Sequence, residues 1–237
     1  YSFLALDRHV QFVGIAIKVP PGAGFSIGWL ESGTDELYSM NSIGEQTGEI
    51  NQAAHAIFFS FGRQFSSRLS VGVSIKLLME NINDGSEDFD YSSRGLGADF
   101  GLYYRATDNL SLAAAYRDLG SKLKANTDKL FERGGTTIDR FPRRFLFGIN
   151  YQTPYPWLRV LYDFEISDKE HAGNHVGLEA SYGRNLALRL GLNEKSFVAG
   201  TGLDFTLYRF ITHLDYAFVP SVVDEGSSHV FSWQIFF

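Results

Sequence analysis

Apolar and polar residues alternate along most of the chain with a period of two. Between Leu69 and Met79 every odd position is apolar, while most even positions carry Ser, Gly or Lys. The same division recurs over 145–151, 158–164 and 186–192. Because successive side chains of a β-strand point to opposite faces, this period indicates strands and does not fit a helix.

Marking each such run predicts a series of antiparallel strands separated by connections of alternating length. Short turns such as 20–22 carry Pro, Gly, Asn, Asp or Ser, which are common turn residues. Long polar loops are predicted at 32–52, 81–94, 119–143, 168–173 and 220–227. The fourteen predicted strands are 1–7, 10–19, 23–31, 53–64, 69–80, 95–106, 110–118, 144–153, 157–167, 174–183, 186–194, 196–206, 210–219 and 228–237.

The residue types on the two strand faces distinguish a soluble sandwich from a membrane barrel. The polar face is mostly Gly, Ser and Ala with isolated charges, and the apolar face is aromatic near the short turns, at Tyr104, Tyr116, Tyr151, Trp157 and Tyr182. Such an aromatic girdle is typical of membrane interfaces. We therefore predict an all-β protein, a transmembrane antiparallel β-barrel of about 14 strands with short periplasmic turns and long extracellular loops. The barrel forms a single domain over residues 1–237 in the bacterial outer membrane.

Composition narrows the possible functions. The chain has 21 Lys and Arg against 27 Asp and Glu, and no basic tract, which argues against nucleic acid as a partner. It has no cysteine, which excludes disulfides, thiolate metal sites and thiol nucleophiles. The mean hydropathy of -0.11 is compatible with strands that alternate in polarity. The chain opens at Tyr1 without a signal-peptide pattern, so we expect a signal peptide and any N-terminal plug segment to lie upstream.

Charged residues on the polar strand faces are the candidate lumen-facing residues. Both signs are mixed, and an unpaired buried charge is costly, so we expect a salt-bridge network that fills the barrel, with a polar passage as the alternative. His213 and Asp215 share a face, but no third ligand follows at a suitable spacing, so no metal site is predicted. The candidates are Lys76, Asp99, Arg105, Arg117, Arg159, Asp163, Glu179, Arg189, Asp204, His213 and Asp215, together with Lys18, Glu80, Arg144 and Glu165.

Three further features suggest chemistry or partners. Residues 24–28 match G-x-S-x-G, but Ser26 falls within a predicted strand rather than at a nucleophile elbow, so no enzyme is predicted. The acidic loop 83–90 does not have EF-hand spacing, and a solvated loop is favoured over a calcium site. Loops 32–52 (acidic) and 119–143 (basic) are candidate docking sites for a protein partner, with a lid or ordinary exposed loops as alternatives. No cofactor is expected beyond lipid, lipopolysaccharide or detergent.

The chain ends in HVFSWQIFF, and this tail resembles the outer-membrane assembly signal through Phe231, Trp233, Ile235 and Phe237. Phe236 falls on the inward face, where we expect it to cap the lumen. Four stretches resemble successive hairpins of the PorV/PorQ-type barrels, which belong to the superfamily of the FadL-type long-chain fatty-acid transporter. They are RQFSSRLSVGVSIKLL, LGADFGLYYRATDNLSLAAAYRDLG, HVGLEASYGRNLALRLGL and HLDYAFVP.

This resemblance implies a monomeric barrel in the outer membrane and two possible functions. The first is an anchor or accessory subunit of a cell-surface or protein-secretion assembly. The alternative is a FadL-like passive transporter of hydrophobic small molecules. FadL-type transporters carry an N-terminal plug before the first strand, whereas Tyr1 already lies in a strand-like run, which favours the accessory role as the expectation.

Overall fold

The strands predicted from the alternation are present in the computed structural model, which describes residues 1–4, 7–84, 90–126, 134–169, 171–183, 185–193, 196–221 and 226–237. Within these ranges no helix is long and apolar enough to cross a membrane. The strands are β1 (Ser2–Phe3), β2 (Arg8–Val19), β3 (Ala23–Met40), β4 (Gln46–Gln64), β5 (Leu69–Asn83), β6 (Asp90–Arg105), β7 (Leu110–Asn126), β8 (Thr136–Arg140), β9 (Arg144–Gln152), β10 (Leu158–Ser167), β11 (Gly173–Tyr182), β12 (Leu186–Asn193), β13 (Ser196–Leu207), β14 (Phe210–Pro220) and β15 (Ser227–Phe236).

The strands form one closed antiparallel barrel. Apart from β8 and β9, strands that follow one another in the chain pair with each other, and β15 returns to pair with β1. Residues 110–117 of β7 pair with β9, and residues 122–126 pair with β8. β8 and β9 therefore occupy one position in a 14-strand ring. The predicted all-β fold and its strand number are confirmed.

Short turns gather at one end of the barrel, which we call the short-turn end, and the opposite end is the hairpin end. Side-chain hydroxyls stabilise two of the turns. Ser66 Oγ accepts hydrogen bonds from the backbone N–H groups of Arg68 (3.2 Å) and Leu69 (3.1 Å). Thr107 Oγ1 does the same for Asn109 (3.3 Å) and Leu110 (3.0 Å). These local bonds fix the tight reversals that the turn residues predict.

Much of the predicted long loops is strand. β3 continues to Met40 and β4 begins at Gln46, so loop 32–52 is largely a projecting hairpin. In the predicted loop 81–94, residues 81–83 belong to β5 and residues 90–94 to β6. The predicted loop 119–143 contains the end of β7 and all of β8. Near the tip of the β3–β4 hairpin both strand faces meet water, so no apolar face marks the strands there while backbone pairing continues.

Parts of these predictions lie outside the described residues. They are 5–6 in the first predicted strand, 85–89 in the carboxylate loop 83–90, 127–133 in loop 119–143, 170 in loop 168–173, 194 in the predicted strand 186–194 and 222–225 in loop 220–227. In the described part of the first predicted strand, only Ser2 and Phe3 are strand. Ser26 lies inside β3, as predicted.

The outer surface of the barrel is apolar and exposed. Ile75 is 53% exposed, Leu190 64% and Trp233 63%, and similar side chains cover most strands. A water-soluble protein rarely exposes a contiguous apolar surface of this extent, so this surface faces lipid. Tyr104, Tyr151 and Tyr182 lie at the short-turn ends of their strands, as predicted for a girdle. Tyr116 does not, because it pairs with Phe145 farther up the wall.

The last strand closes the ring at a narrow seam. β1 pairs with β15 at Ser2 and Phe3, and Tyr1 exchanges backbone hydrogen bonds with Phe231 at 2.8 and 2.9 Å. Phe231, Trp233 and Ile235 lie on one face of β15 and Phe237 follows the strand. Phe236 is on the opposite, inner face, with its ring centroid 5.1 Å from that of His213. The assembly-signal role of the tail stays a prediction.

Candidate functional site

The inner wall carries two groups of ion pairs, and the first centres on Lys76. The Lys76 ammonium lies 2.8 Å from Asp99 and also contacts Asp118. Arg144 lies 3.5 Å from both Asp118 and Glu165. Lys76 is 6% exposed, so its charge is compensated by these carboxylates rather than by bulk water.

Asp118 is a site residue that the alternation missed. By strict period two it falls on the lipid-facing side of β7. Asp118 instead has a positive φ of 62°, and the register of β6 with β7 shifts on either side of Ala98. This bulge turns Asp118 inward, where its backbone N–H donates to Asp99 at 2.9 Å. Gly120, also at positive φ, is the sequence signal for such an irregularity.

The second group of ion pairs joins β10, β11, β12 and β14. Glu179 accepts from Arg159 at 3.1 Å and from Arg189 Nε at 2.8 Å. Arg189 Nη1 then reaches Asp215 at 2.5 Å, passing over β13. A Cβ at Gly202 would lie 2.6 Å from the Asp215 carboxylate and 3.0 Å from the Arg189 guanidinium. The Arg189–Asp215 bond across β13 therefore requires a glycine at position 202.

The remaining candidates are less closely connected. His213 Nδ1 contacts the Asp204 carboxylate, and the two face each other across β13 and β14. Within the described residues, Arg105, Arg117 and Asp163 form no salt bridge. No group of three His, Asp or Glu side chains that could hold a metal ion occurs in the part of the chain that the structure describes.

A cavity of about 590 Å³ lies against the wall formed by β10–β15. Three glycines leave the space for it. Gly177 of β11 pairs with Gly191 of β12, and Gly191 pairs in turn with Val198 of β13. Gly200, also on β13, pairs with Ala217 of β14. Leu161 and Val230 complete the apolar part of the wall. The ion pairs around Glu179 and Arg189 border the cavity toward the short-turn end, while Asp163, His175 and Asn193 border it toward the hairpin end.

The opposite wall carries larger side chains. The Phe12 ring lies over Gly14 and Gly28, where any Cβ would come within 3.0 Å of it. Phe12 also meets Phe58 edge to face, with ring centroids 6.4 Å apart. Beyond Phe58, a small cluster forms the most buried apolar part of the wall, from Leu30, Ala56, Leu78 and Leu123. The lumen is therefore asymmetric, with large aromatic side chains on one wall and glycines on the other.

A closed ring, an apolar outer surface and a charged inner wall define a transmembrane β-barrel of the bacterial outer-membrane type. No family model matches the chain. No curated protein matches its sequence. Solved structures with the same fold do exist.

The Pseudomonas putida toluene transporter TodX is 16% identical with a TM-score of 0.62, covering 97% of this chain and 84% of its own. A Pseudomonas aeruginosa FadL homologue is 11% identical with a TM-score of 0.62, covering 94% and 77%. The CymD monoaromatic hydrocarbon channel is 12% identical with a TM-score of 0.58, covering 96% and 84%. These likenesses support the FadL-type fold but give no support to the narrower PorV/PorQ assignment.

Proposed function

We propose that the barrel is a passive transporter of small hydrophobic molecules and that the cavity beside β10–β15 is a binding site on their route. The observation that carries this proposal is the hollow formed by Gly177, Gly191 and Gly200 inside a barrel whose opposite wall carries larger side chains. Its volume of about 590 Å³ falls within the range of small-molecule sites. The transporter role, the alternative from the sequence, is thus preferred to the accessory role.

The structural neighbours support this choice without fixing the substrate. TodX is named as a toluene transporter and CymD as a monoaromatic hydrocarbon channel. The wall around the cavity offers Leu161, Val198 and Val230 to an apolar ligand. Of the bordering charges, Glu179, Arg189 and Asp215 are already paired with one another, while Asp163 forms no salt bridge within the described residues. A neutral apolar molecule therefore fits this cavity better than an ion does.

Filling the cavity tests the proposal. A Cβ at Gly177 or Gly191 would have its nearest neighbours at 3.6 and 3.5 Å, so larger side chains can enter without main-chain strain. We expect Gly177→Leu/Gly191→Leu to occupy the hollow and to abolish transport. Gly101→Leu is the matched control, since it lies on the inner wall of β6 with nothing within 4 Å.

The assay is uptake of an environment-sensitive naphthylamine dye by cells that express the full-length protein. Wild type and Gly101→Leu should accelerate uptake, and the double variant should behave like the empty vector. The proposal fails if wild type is no faster than the empty vector, or if the double variant transports as wild type does. Heat-dependent gel migration verifies that each variant is folded.

The hairpin of β3 and β4 favours a second role, in docking a protein partner. Its tip carries Met40 and Ile43, which are 60% and 77% exposed. Asn41 Oδ1 holds the turn by accepting from the N–H groups of Ile43 (3.1 Å) and Glu45 (2.9 Å). An ordered apolar tip is suited to a protein contact. Affinity isolation from native outer membrane tests this, and loss of a partner in Met40→Ser/Ile43→Ser, but not in wild type, is the expected result.

A further inference from the structure

The outer face of β6, β7 and β8 changes from apolar to cationic as it approaches the hairpin end. On β6 the lipid-facing residues run Tyr104, Leu102, Phe100, Ala98 and Leu96, and the next is Arg94. The assignment of faces is direct, because Ser93, Ser121, Leu123 and Ala125 are buried on the inner side while the alternate residues are exposed.

Four basic side chains meet on this face, and we call them the cationic cluster. Arg94 of β6 lies directly opposite Lys124 of β7, and Lys122 of β7 lies directly opposite Arg140 of β8. All four are exposed. In the described ranges none of them forms a salt bridge. Like charges directly opposite one another destabilise a sheet, so this arrangement calls for an anion from outside the chain.

The height of the cluster matches the edge of the membrane. Arg94 is eleven residues along β6 from Arg105, which lies at the short-turn end. At about 3.3 Å per residue and a strand tilt of about 40°, this places Arg94 roughly 28 Å above that end. The apolar band of such barrels is about 25 Å tall. The cluster therefore lies where hydrocarbon gives way to lipid headgroups.

We propose that the cationic cluster binds the phosphate groups of a lipid in the membrane leaflet at the hairpin end. The acyl chains of that lipid would lie on the apolar surface that continues down β6 from Arg94, at Leu96 and Phe100, which are both exposed. Arg and Lys are the residues that pair best with phosphate, and four on one face suit a headgroup with two phosphates. The continuity of charge and apolar surface favours a lipid over a free anion.

Binding of bisphosphorylated lipid A tests the proposal. The folded barrel is placed in phosphatidylcholine nanodiscs with lipid A, and bound lipid A is counted by native mass spectrometry. We expect Arg94→Gln/Lys122→Gln/Lys124→Gln/Arg140→Gln to weaken retention at least about tenfold, since each basic residue near an anionic surface adds to the attraction. Lys122→Gln/Arg140→Gln should give an intermediate loss.

Three controls make the result specific. Arg63→Gln/Arg68→Gln/Arg209→Gln removes exposed cations from the short-turn end and should retain lipid A as wild type does. Dephosphorylated lipid A should bind the wild type no better than it binds the quadruple variant. Inorganic phosphate at equal concentration should not displace lipid A. Equal retention by the quadruple variant, equal binding without the lipid phosphates, or displacement by inorganic phosphate would each overturn the proposal. Unchanged gel migration shows that the variants fold.

Discussion

Replacing Lys76 by Met removes the only cation within hydrogen-bond reach of Asp99 among the described contacts. The Lys76 side chain is 7% exposed, and Asp118 beside it is 10% exposed, so solvent screens this group poorly. Removing one partner of a buried ion pair typically costs about 3–5 kcal/mol, because the other charge stays buried. Arg144 remains 3.5 Å from Asp118 and compensates in part. We therefore expect a loss near the lower limit, about 3 kcal/mol.

An exposed pair provides the matched control. Arg143 Nε lies 3.3 Å from Asp168, and their side chains are 56% and 40% exposed. Because such surface pairs contribute little, Arg143→Gln should leave the free energy of unfolding almost unchanged. The triple variant Lys76→Met/Asp99→Asn/Asp118→Asn removes the uncompensated charges as well, and should recover much of the stability that Lys76→Met loses.

The measurement is urea unfolding of the barrel in phospholipid vesicles, followed by tryptophan fluorescence under conditions where the folding and unfolding curves coincide. The reasoning predicts that Lys76→Met loses far more free energy of unfolding than Arg143→Gln. If the two variants lose the same amount, or if the triple variant is less stable than Lys76→Met, the burial of this ion pair does not determine its contribution.

Three further outcomes follow from the inner wall and from the fold. Gly202→Ala should destabilise the barrel by about 1–3 kcal/mol, since its Cβ would press on Asp215, whereas Gly101→Ala with open space should be near neutral in the same urea assay. Phe12→Ala should widen the lumen beside Phe58 and speed dye uptake, at a cost below the ~3–5 kcal/mol of a fully buried phenylalanine, because Phe12 is 58% exposed. Unheated protein should migrate faster than boiled protein on a detergent gel, and equal migration would contradict a closed barrel.

The part of the barrel that crosses the membrane could be predicted from the sequence because lipid enforces alternation. The predicted strand 210–219 corresponds to Phe210–Pro220, and 144–153 corresponds to Arg144–Gln152. The hairpin ends could not be predicted in this way. Residues such as 32–40 keep their backbone pairing, but with water on both faces they carry no period-two signal.

The site was only partly predictable for a related reason. Charges that follow the alternation, such as Glu179 and Arg189, could be assigned to one face from the sequence. Which charges pair depends on register across strands, and Asp118 required a bulge that inverts its face. The cavity could not be predicted from the sequence either, because Gly177, Gly191 and Gly200 are far apart in the chain and become neighbours only through strand pairing.

The cavity and the second group of ion pairs are two results of the same small residues. Gly200 and Gly202 leave the middle of β13 without side chains on its inner face, which opens the hollow and also lets Arg189 reach Asp215 on β14. That bond, together with Glu179, ties four strands around the hollow. Backbone pairing holds these strands side by side, and we expect the ion pairs to restrict the movement of the wall further. A variant that breaks the Arg189–Asp215 bond should therefore change uptake as well as stability, even though neither residue needs to contact the transported molecule.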